Sequence, residues 1–351
     1  MKGFRVVAAA QGEVEEMARP DALPGQALIR VEYAGICGGD PNLFALNTYG
    51  ATPERPLVYG HEFVGVVEKI NNPEGLPSRV EVGDRVVAHQ DRPCNVCRYC
   101  ISGKPSICSG EYGKRDRSTG CFAEYLTRDL PYIFKINDNV ASRVAVLAEP
   151  LSVAVYDVRQ SQLKRGDRVL IIGGGTIGIL IALIAQCIGV NDILFFEIVE
   201  KKIRLLHELG FSAVNPQKVE IVGSLKKRFG VDDVHCVFEV SGAQASYEAA
   251  FKSVAPLGKV VLIALPPGER MIDFDAIYKK KLQVISVNSH QLDDFSLAVD
   301  LINAGKLNSA LEKIVTGVFP LDDLKNALAA SKNRELGHVK VLVDCDSMGH
   351  M

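Results

Sequence analysis

The chain has no charge imbalance: 40 Lys and Arg stand against 42 Asp and Glu, a formal net charge of -2 over 351 residues. Without a basic surplus there is no general electrostatic footprint for nucleic acid or for an anionic membrane, so the expected partner is a small molecule. The N-terminal MKGFRVVAAA lacks a basic stretch leading into a long apolar segment and a cleavage site. No secretory signal is expected, and the cytoplasm is the expected location. Internal repeats and low-complexity linkers are missing as well. The cysteine count is not even: nine cysteines in a large chain fit reduced thiols and metal ligands better than a disulfide framework.

What is present is enough apolar sequence, 47%, for two domains with a core each. The most informative stretch is residues 168–197, RVLIIGGGTIGILIALIAQCIGVNDILFFE, which reads as strand, tight turn, helix and strand. Its GxGxxG is made by Gly173, Gly175 and Gly178, with Thr176 and Ile177 between them. Such glycines let the turn close and the backbone approach a pyrophosphate, whose charge then sits at the N-terminus of the following helix. Glu197 ends the second strand about 20 residues further on, where an acid is expected to accept the adenosine ribose hydroxyls. A carboxylate there repels a 2'-phosphate, so the expected cofactor is NAD rather than NADP. Two other readings compete. Residues 169–190 carry no charge and are long enough to span a bilayer, but a glycine triplet, a strand-like start and acids just beyond fit a buried βαβ unit better. A Gly-rich helix start that binds nothing is the other.

Upstream of residue 135 the chain is rich in short β-type runs (28–33, 63–70, 85–88) broken by Pro and Gly turns, which predicts an irregular β domain. From 164 to 287 strands alternate with helices: a helix at 200–209, a strand at 235–240, a helix opening near Ala243, and strands at 259–264 and 282–287. That alternation predicts a doubly wound parallel sheet. Helices at 294–304 and 321–331 and a last strand at 338–343 are expected to return to the first domain. The expected division is 1–155, 156–294 and 295–351, with a metal lobe at 92–110.

Within that lobe Cys94, Cys97, Cys100 and Cys108 form CxxCxxCx7C. Four thiolates at this spacing surround one tetrahedral Zn(II) and leave no position for substrate, so the site is structural. An iron-sulfur cluster, which also takes four thiolates, is the alternative. A second set is dispersed: Cys37 in GICGGD, His61 in YGHEF and Glu149 in LAEPLS. Singly each is unremarkable. Together they make a mixed ligand set for a catalytic zinc with an open position.

In order along the chain, GICGGD, GHEFVGVVE, VGDRV, the four-cysteine lobe, GCFAEY, AEPLSVAVY and GGGTIG resemble the zinc-dependent medium-chain dehydrogenase/reductase family. Within it the chain resembles the branch of sorbitol (polyol), threonine and archaeal glucose dehydrogenases. The resemblance implies an α/β architecture in which a GroES-like irregular β-barrel catalytic domain is split around a Rossmann domain. It implies two zinc ions per chain, NAD, a homo-oligomer (dimer or tetramer), and oxidation of a secondary alcohol of a polyol, sugar or cyclitol. By motif position Cys37 and His61 are zinc ligands, with Glu62 and Glu149 as the acidic candidates for the remaining coordination. Expected cofactor contacts are Gly173, Gly175, Thr176, Ile177, Gly178, Glu197, Lys202, Val287 and Asn288. The run VNSHQLDDF from Val287 resembles the segment that passes the nicotinamide in glucose dehydrogenases, which favours a sugar-like substrate. A threonine-type dehydrogenase and a NAD-binding protein without turnover are the alternatives.

The chain departs from the family at Gly39 and Asn42, where many relatives carry the hydroxyl and imidazole of a proton relay. The proton is then expected to pass to Glu62, Glu149, an ordered water or a neighbouring hydroxyl of the substrate, and Gly39 would make room for a bulky cyclic substrate. Lys114, Arg115 and Arg117 read as a solvated basic loop or as a clamp for an acidic sugar.

Overall fold

The structure is a computed structural model that describes residues 1–73, 75, 78–90, 93–109, 120–265 and 268–346. Lys114, Arg115 and Arg117 lie outside the described residues. The chain divides into two units, residues 1–152 with 291–351, and residues 153–290. The sequence places these boundaries at 155 and 294. The first falls inside the helix Ala148–Ser161, whose continuous hydrogen bonding gives no local signal of a division.

The first unit is built on antiparallel β-structure. Its main sheet runs Val315–Pro320, Lys340–Asp344, Gln26–Gly35, Glu62–Asn71, Arg85–Ala88 and Ile133–Lys135, and Tyr125–Asp129 also pairs with Gln26–Gly35. Lys2–Ala8, Gln11–Glu16 and Leu57–Val58 form a smaller sheet. The sequence reading misses the hairpin strand Gln11–Glu16 because four of its six residues are exposed and its apolar alternation is weak. Phe4, Phe63, Phe122, Leu126, Ile133 and Val343 pack together at the centre of this unit.

One register in the main sheet decides where chemistry can occur. Gly35, the last residue of its strand, pairs with Glu62, the first of its own, and on the other side with Leu342. An antiparallel pair so aligned brings the residues just after Gly35 beside those just before Glu62, that is, Cys37 beside His61.

The second unit is a six-stranded parallel sheet in the order Ser212–Val214, Asp192–Phe196, Arg168–Ile172, Val234–Glu239, Val254–Leu262, Gln283–Ser286. Numbered along the chain this is 3-2-1-4-5-6, the doubly wound order with its switch point between Arg168–Ile172 and Val234–Glu239. Val169–Ile172 are all buried, as strands covered on both faces require. The uncharged run at 169–190 is explained by the helix Thr176–Cys187, in which Gly178 to Ala185 are buried in succession. Among the described residues no helix is long and apolar enough to cross a membrane. The helix Gln244–Ser253 is closed by a side chain: Lys280 Nζ donates to the carbonyls of Phe251 at 3.0 Å and Val254 at 2.8 Å.

The four-cysteine lobe and the two candidate sites

In the lobe the sulfurs already stand at tetrahedral spacing. Cys97 Sγ is 3.5 Å from Cys100 Sγ and 3.9 Å from Cys108 Sγ, and Cys94 Sγ is 3.9 Å from Cys100 Sγ. Zn–S bonds of about 2.3 Å make the edge of a tetrahedron about 3.8 Å. A multi-iron cluster, whose cysteines bind different irons, needs wider separations. Backbone N–H groups turn inward too: Cys97 N donates to Cys94 Sγ at 3.3 Å and Cys94 N to Cys108 Sγ at 3.4 Å. The N–H groups of Cys100 and Ser109 bring the Cys97 thiol down to about 5, while burial and the neighbouring thiols push Cys100 up to about 12.

The dispersed set also converges. Ligand atoms of Cys37, His61 and Glu62 all lie within 4.8 Å of one another, and His61 Nε2 is 3.9 Å from Glu149 Oε1. Glu149 sits in the first turn of its helix, buried, with Gln90 Nε2 donating to it at 3.1 Å. A buried lysine from the last strand, Lys340, forms an ion pair with Glu62 and donates to the carbonyl of Ile36 at 3.0 Å. Burial pushes the Cys37 thiol well up, and so do the carboxylates of Asp40, Glu62 and Glu149, with Lys340 acting against them. Three carboxylates and a thiol against one ammonium are a surplus of electron-pair donors, and thiolate, imidazole and carboxylate together suit Zn(II).

The sequence reading missed Asp40, Gln90 and Lys340. Asp40 had a signal. It lies three residues after Cys37, its buried carboxylate accepts from Cys37 N at 2.9 Å, and it faces His61 Nδ1 at 3.9 Å. A carboxylate behind a ligating imidazole fixes the ring and its tautomer. Lys340 had none, because nothing local to the last strand reports a partner so far away in sequence. Asn42 is turned away from this cluster, its side-chain oxygen accepting from Lys332 Nζ. Among the described residues, a Cβ added at Gly39 would meet only Cys37 Sγ, at 4.0 Å, so the space beside the thiol is open.

In the second unit the three motif glycines have three different reasons to lack a side chain. Gly173 has φ +119°, a conformation that L side chains rarely adopt. Gly175 has nothing within 4 Å of an added Cβ among the described residues, so an anion can approach its backbone. A Cβ at Gly178 would lie 2.1 Å from the carbonyl oxygen of Gly173, so helix and strand could not close. Gly175, at the N-cap, brings no side chain to the helix that begins at Thr176, so an anion can approach the N–H groups of Ile177 and Gly178. Glu197 is buried and already holds the turn: its oxygens accept from Gly174 N at 2.7 Å, Ile198 N at 2.7 Å and Val199 N at 2.9 Å. Lys202 lies in the first turn of the next helix, Glu200–Glu208, its N–H bonded to the Val199 carbonyl at 3.0 Å. Val287 and exposed Asn288 follow the edge strand Gln283–Ser286 at its C-terminal end, the side on which open α/β sheets bind ligands.

Comparison with known proteins agrees with both halves. Residues 23–138 match the family described as alcohol dehydrogenase GroES-like domain, and residues 176–304 match that described as zinc-binding dehydrogenase. The chain is 30% identical over 92% of its length, and 92% of the relative's, to 2-dehydro-3-deoxy-L-galactonate 5-dehydrogenase of Pseudoalteromonas atlantica. It is 28% identical to the probable D-xylulose reductase A of Aspergillus clavatus, over 88% of this chain and 87% of that one. The crystal structure of 2R,3R-butanediol dehydrogenase from Bacillus subtilis superposes with a TM-score of 0.84 at 28% identity, covering 98% of this chain and 99% of that one.

Proposed function

This chain belongs to the zinc-dependent medium-chain dehydrogenase family, and on that premise we propose that it oxidises a secondary hydroxyl of a polyol, sugar or cyclitol with NAD. The observation that carries the reading is the convergence of Cys37, His61 and Glu62 within 4.8 Å beside the open space at Gly39. The similar proteins are named for sugar-acid, ketose and diol substrates, which supports a polyhydroxylated substrate here.

Cys37, His61 and Glu62 would hold the catalytic metal, with Glu149 at its margin, and the four-cysteine lobe the structural one. When bound, zinc supplies a Lewis acid for the substrate oxygen and NAD a hydride acceptor. Asp40 holds the Cys37 backbone and faces the His61 ring, and Lys340 balances the charge of Glu62. Glu62 is held in that ion pair, so we assign the hydroxyl proton to Glu149 Oε1, oriented by Gln90. The Glu197 carboxylate selects NAD, because its oxygens favour ribose hydroxyls and repel a 2'-phosphate.

A reducing cytoplasm suits a site of four thiolates in a chain with nine cysteines and, among the described residues, no disulfide. We also read the edge strand Gln283–Ser286, with Val284, Phe274 and Tyr278 exposed, as the place where a second copy pairs. A strict monomer in light scattering would remove that element alone.

The direct test is NAD reduction by zinc-loaded protein across neutral polyols, aldoses, cyclitols, aldonates and threonine. Turnover on the hydroxylated neutral class is expected, lost in Cys37→Ser while NADH binding persists. Silence on every class, with zinc loaded and NADH bound, would sink the reading.

A further inference from the structure

At the switch point of the parallel sheet lies a carboxylate that the reading so far leaves without a role. Glu239 ends the strand Val234–Glu239 and pairs in register with Ile172, the residue before Gly173. It is 0% exposed, yet four donors converge on one of its oxygens. Ser241 N at 2.9 Å, Ser241 Oγ at 3.0 Å, Gly242 N at 2.8 Å and Ser246 Oγ at 2.6 Å all donate to Oε1. The carboxylate therefore ties the next turn of chain, and the first residues of the helix Gln244–Ser253, to the end of the strand. Burial and the adjacent Glu239 charge raise the Tyr247 phenol on that same helix.

The turn so held is not remote from the glycines. Around a Cβ built on Gly173, the nearest atoms are Ser241 Cβ, Ser241 N and the Val240 carbonyl carbon, each at 3.4 Å. Ser241 is exposed, so this turn stands at the lip of the crevice while its anchor is buried. Burying a carboxylate completely is costly, and here all four donors serve Oε1 while Oε2 has no hydrogen-bond partner among the described residues. An uncharged cap would hold a surface turn as well, so the cost points to a turn whose position must not drift.

We propose that Glu239 is a positioning residue for the dinucleotide: through Ser241 and Gly242 it fixes the wall that faces Gly173, and so sets cofactor affinity. It rests on the reading of Gly173 to Gly178 as the cofactor cradle. Glu239 itself takes no part in proton or hydride transfer. Loss of the carboxylate frees the turn and weakens binding of oxidised and reduced cofactor alike.

The test compares Glu239→Ala, Glu239→Gln and Ser246→Ala in the zinc-loaded protein. NADH affinity is read from nicotinamide fluorescence, KM for NAD and kcat from turnover, and folding from thermal melting. Glu239→Ala is expected to raise the NADH Kd and the KM for NAD at least about tenfold, with kcat at saturating NAD within about threefold of wild type. Glu239→Gln, which keeps an acceptor oxygen in place, should recover part of the loss; a purely structural defect would instead lower kcat and melting with the NADH Kd of the folded fraction unchanged. A folded Glu239→Ala with unchanged Kd, or one that loses kcat alone, overturns the proposal. Should that variant not fold, Ser246→Ala, which deletes one of the four donors, must still raise Kd by about two- to fivefold, and no change would overturn it. Wild-type protein that binds no NADH, or Gly175→Ala that binds as wild type does, would sink the cradle reading itself rather than the role of Glu239.

Discussion

Lys340 and Glu62 form an ion pair in which each side chain is only 2% exposed, and the ligand atom of Glu62 lies within 4.8 Å of the Cys37 thiol. The pair exists because the strands Gln26–Gly35, Glu62–Asn71 and Lys340–Asp344 run side by side with Gly35 between Glu62 and Leu342. Burial works against the lysine charge, but Glu62 and Cys37 outweigh it and the Lys340 ammonium is raised. A buried pair contributes little net stability, whereas breaking it strands a charge.

Lys340→Met should therefore lower unfolding stability by about 3–5 kcal/mol, read from the denaturant midpoint. The double change Lys340→Met with Glu62→Gln should recover at least about 1 kcal/mol of that loss, since the uncompensated charge is gone. Strictly additive effects in this cycle would mean that the two side chains are not coupled.

Gly35 and Gly39 lie four positions apart on the same segment and should behave oppositely. A Cβ at Gly35 would lie 2.3 Å from Glu62 Oε2 and 3.0 Å from Lys340 Cε. Gly35→Ala must displace the pair, costing about 1–3 kcal/mol of stability and at least about tenfold in kcat/KM. Gly39→Ala meets only Cys37 Sγ at 4.0 Å and should fold with full zinc content. If the open space receives a bulky substrate, Gly39→Ala will lose turnover on cyclic substrates while keeping it on a small diol. Equal losses on both would separate Gly39 from substrate size.

The metal lobe makes a prediction in stoichiometry. Cys100→Ser breaks the four-sulfur set and should reduce bound zinc from two ions per chain to one, with melting lowered and NADH binding retained. Cys37→Ser should also leave one ion, but with normal melting and no turnover. A chain that still carries two zinc ions after Cys100→Ser would contradict the assignment of the lobe.

What could be read from the sequence, and what could not, follows from the range of each interaction. The glycine turn, the strand Asp192–Phe196 before Glu197 and the cysteine spacing are local patterns, which is why the sequence alone points to them. Cys37 and His61 could be grouped by ligand chemistry and by resemblance but not by periodicity, since their contact depends on a strand register that periodicity does not report. Lys340 and Gln90 were invisible for the same reason, and Glu239 looked like the end of an ordinary apolar strand. The division at Ser152 and Val153 falls within a continuous helix, where no composition shift marks it.

Glu197 joins the two kinds of information, being legible by its spacing from the glycines and yet bonded in ways the spacing does not show. Its carboxylate accepts from Gly174, Ile198 and Val199, so it holds the turn together besides the ribose-binding role proposed for it. Replacing it with a neutral side chain should consequently do two things at once. In Glu197→Ser the KM for NAD should rise at least about tenfold, because the hydroxyl cannot bridge both N–H groups beyond the strand and that of Gly174. The preference for NAD over NADP should also shrink, because the charge that opposes a 2'-phosphate is gone. The ratio of kcat/KM for the two cofactors, measured on the same alcohol, separates the effects. A higher KM for NAD with an unchanged ratio would leave Glu197 as a brace for the turn and place cofactor selection elsewhere.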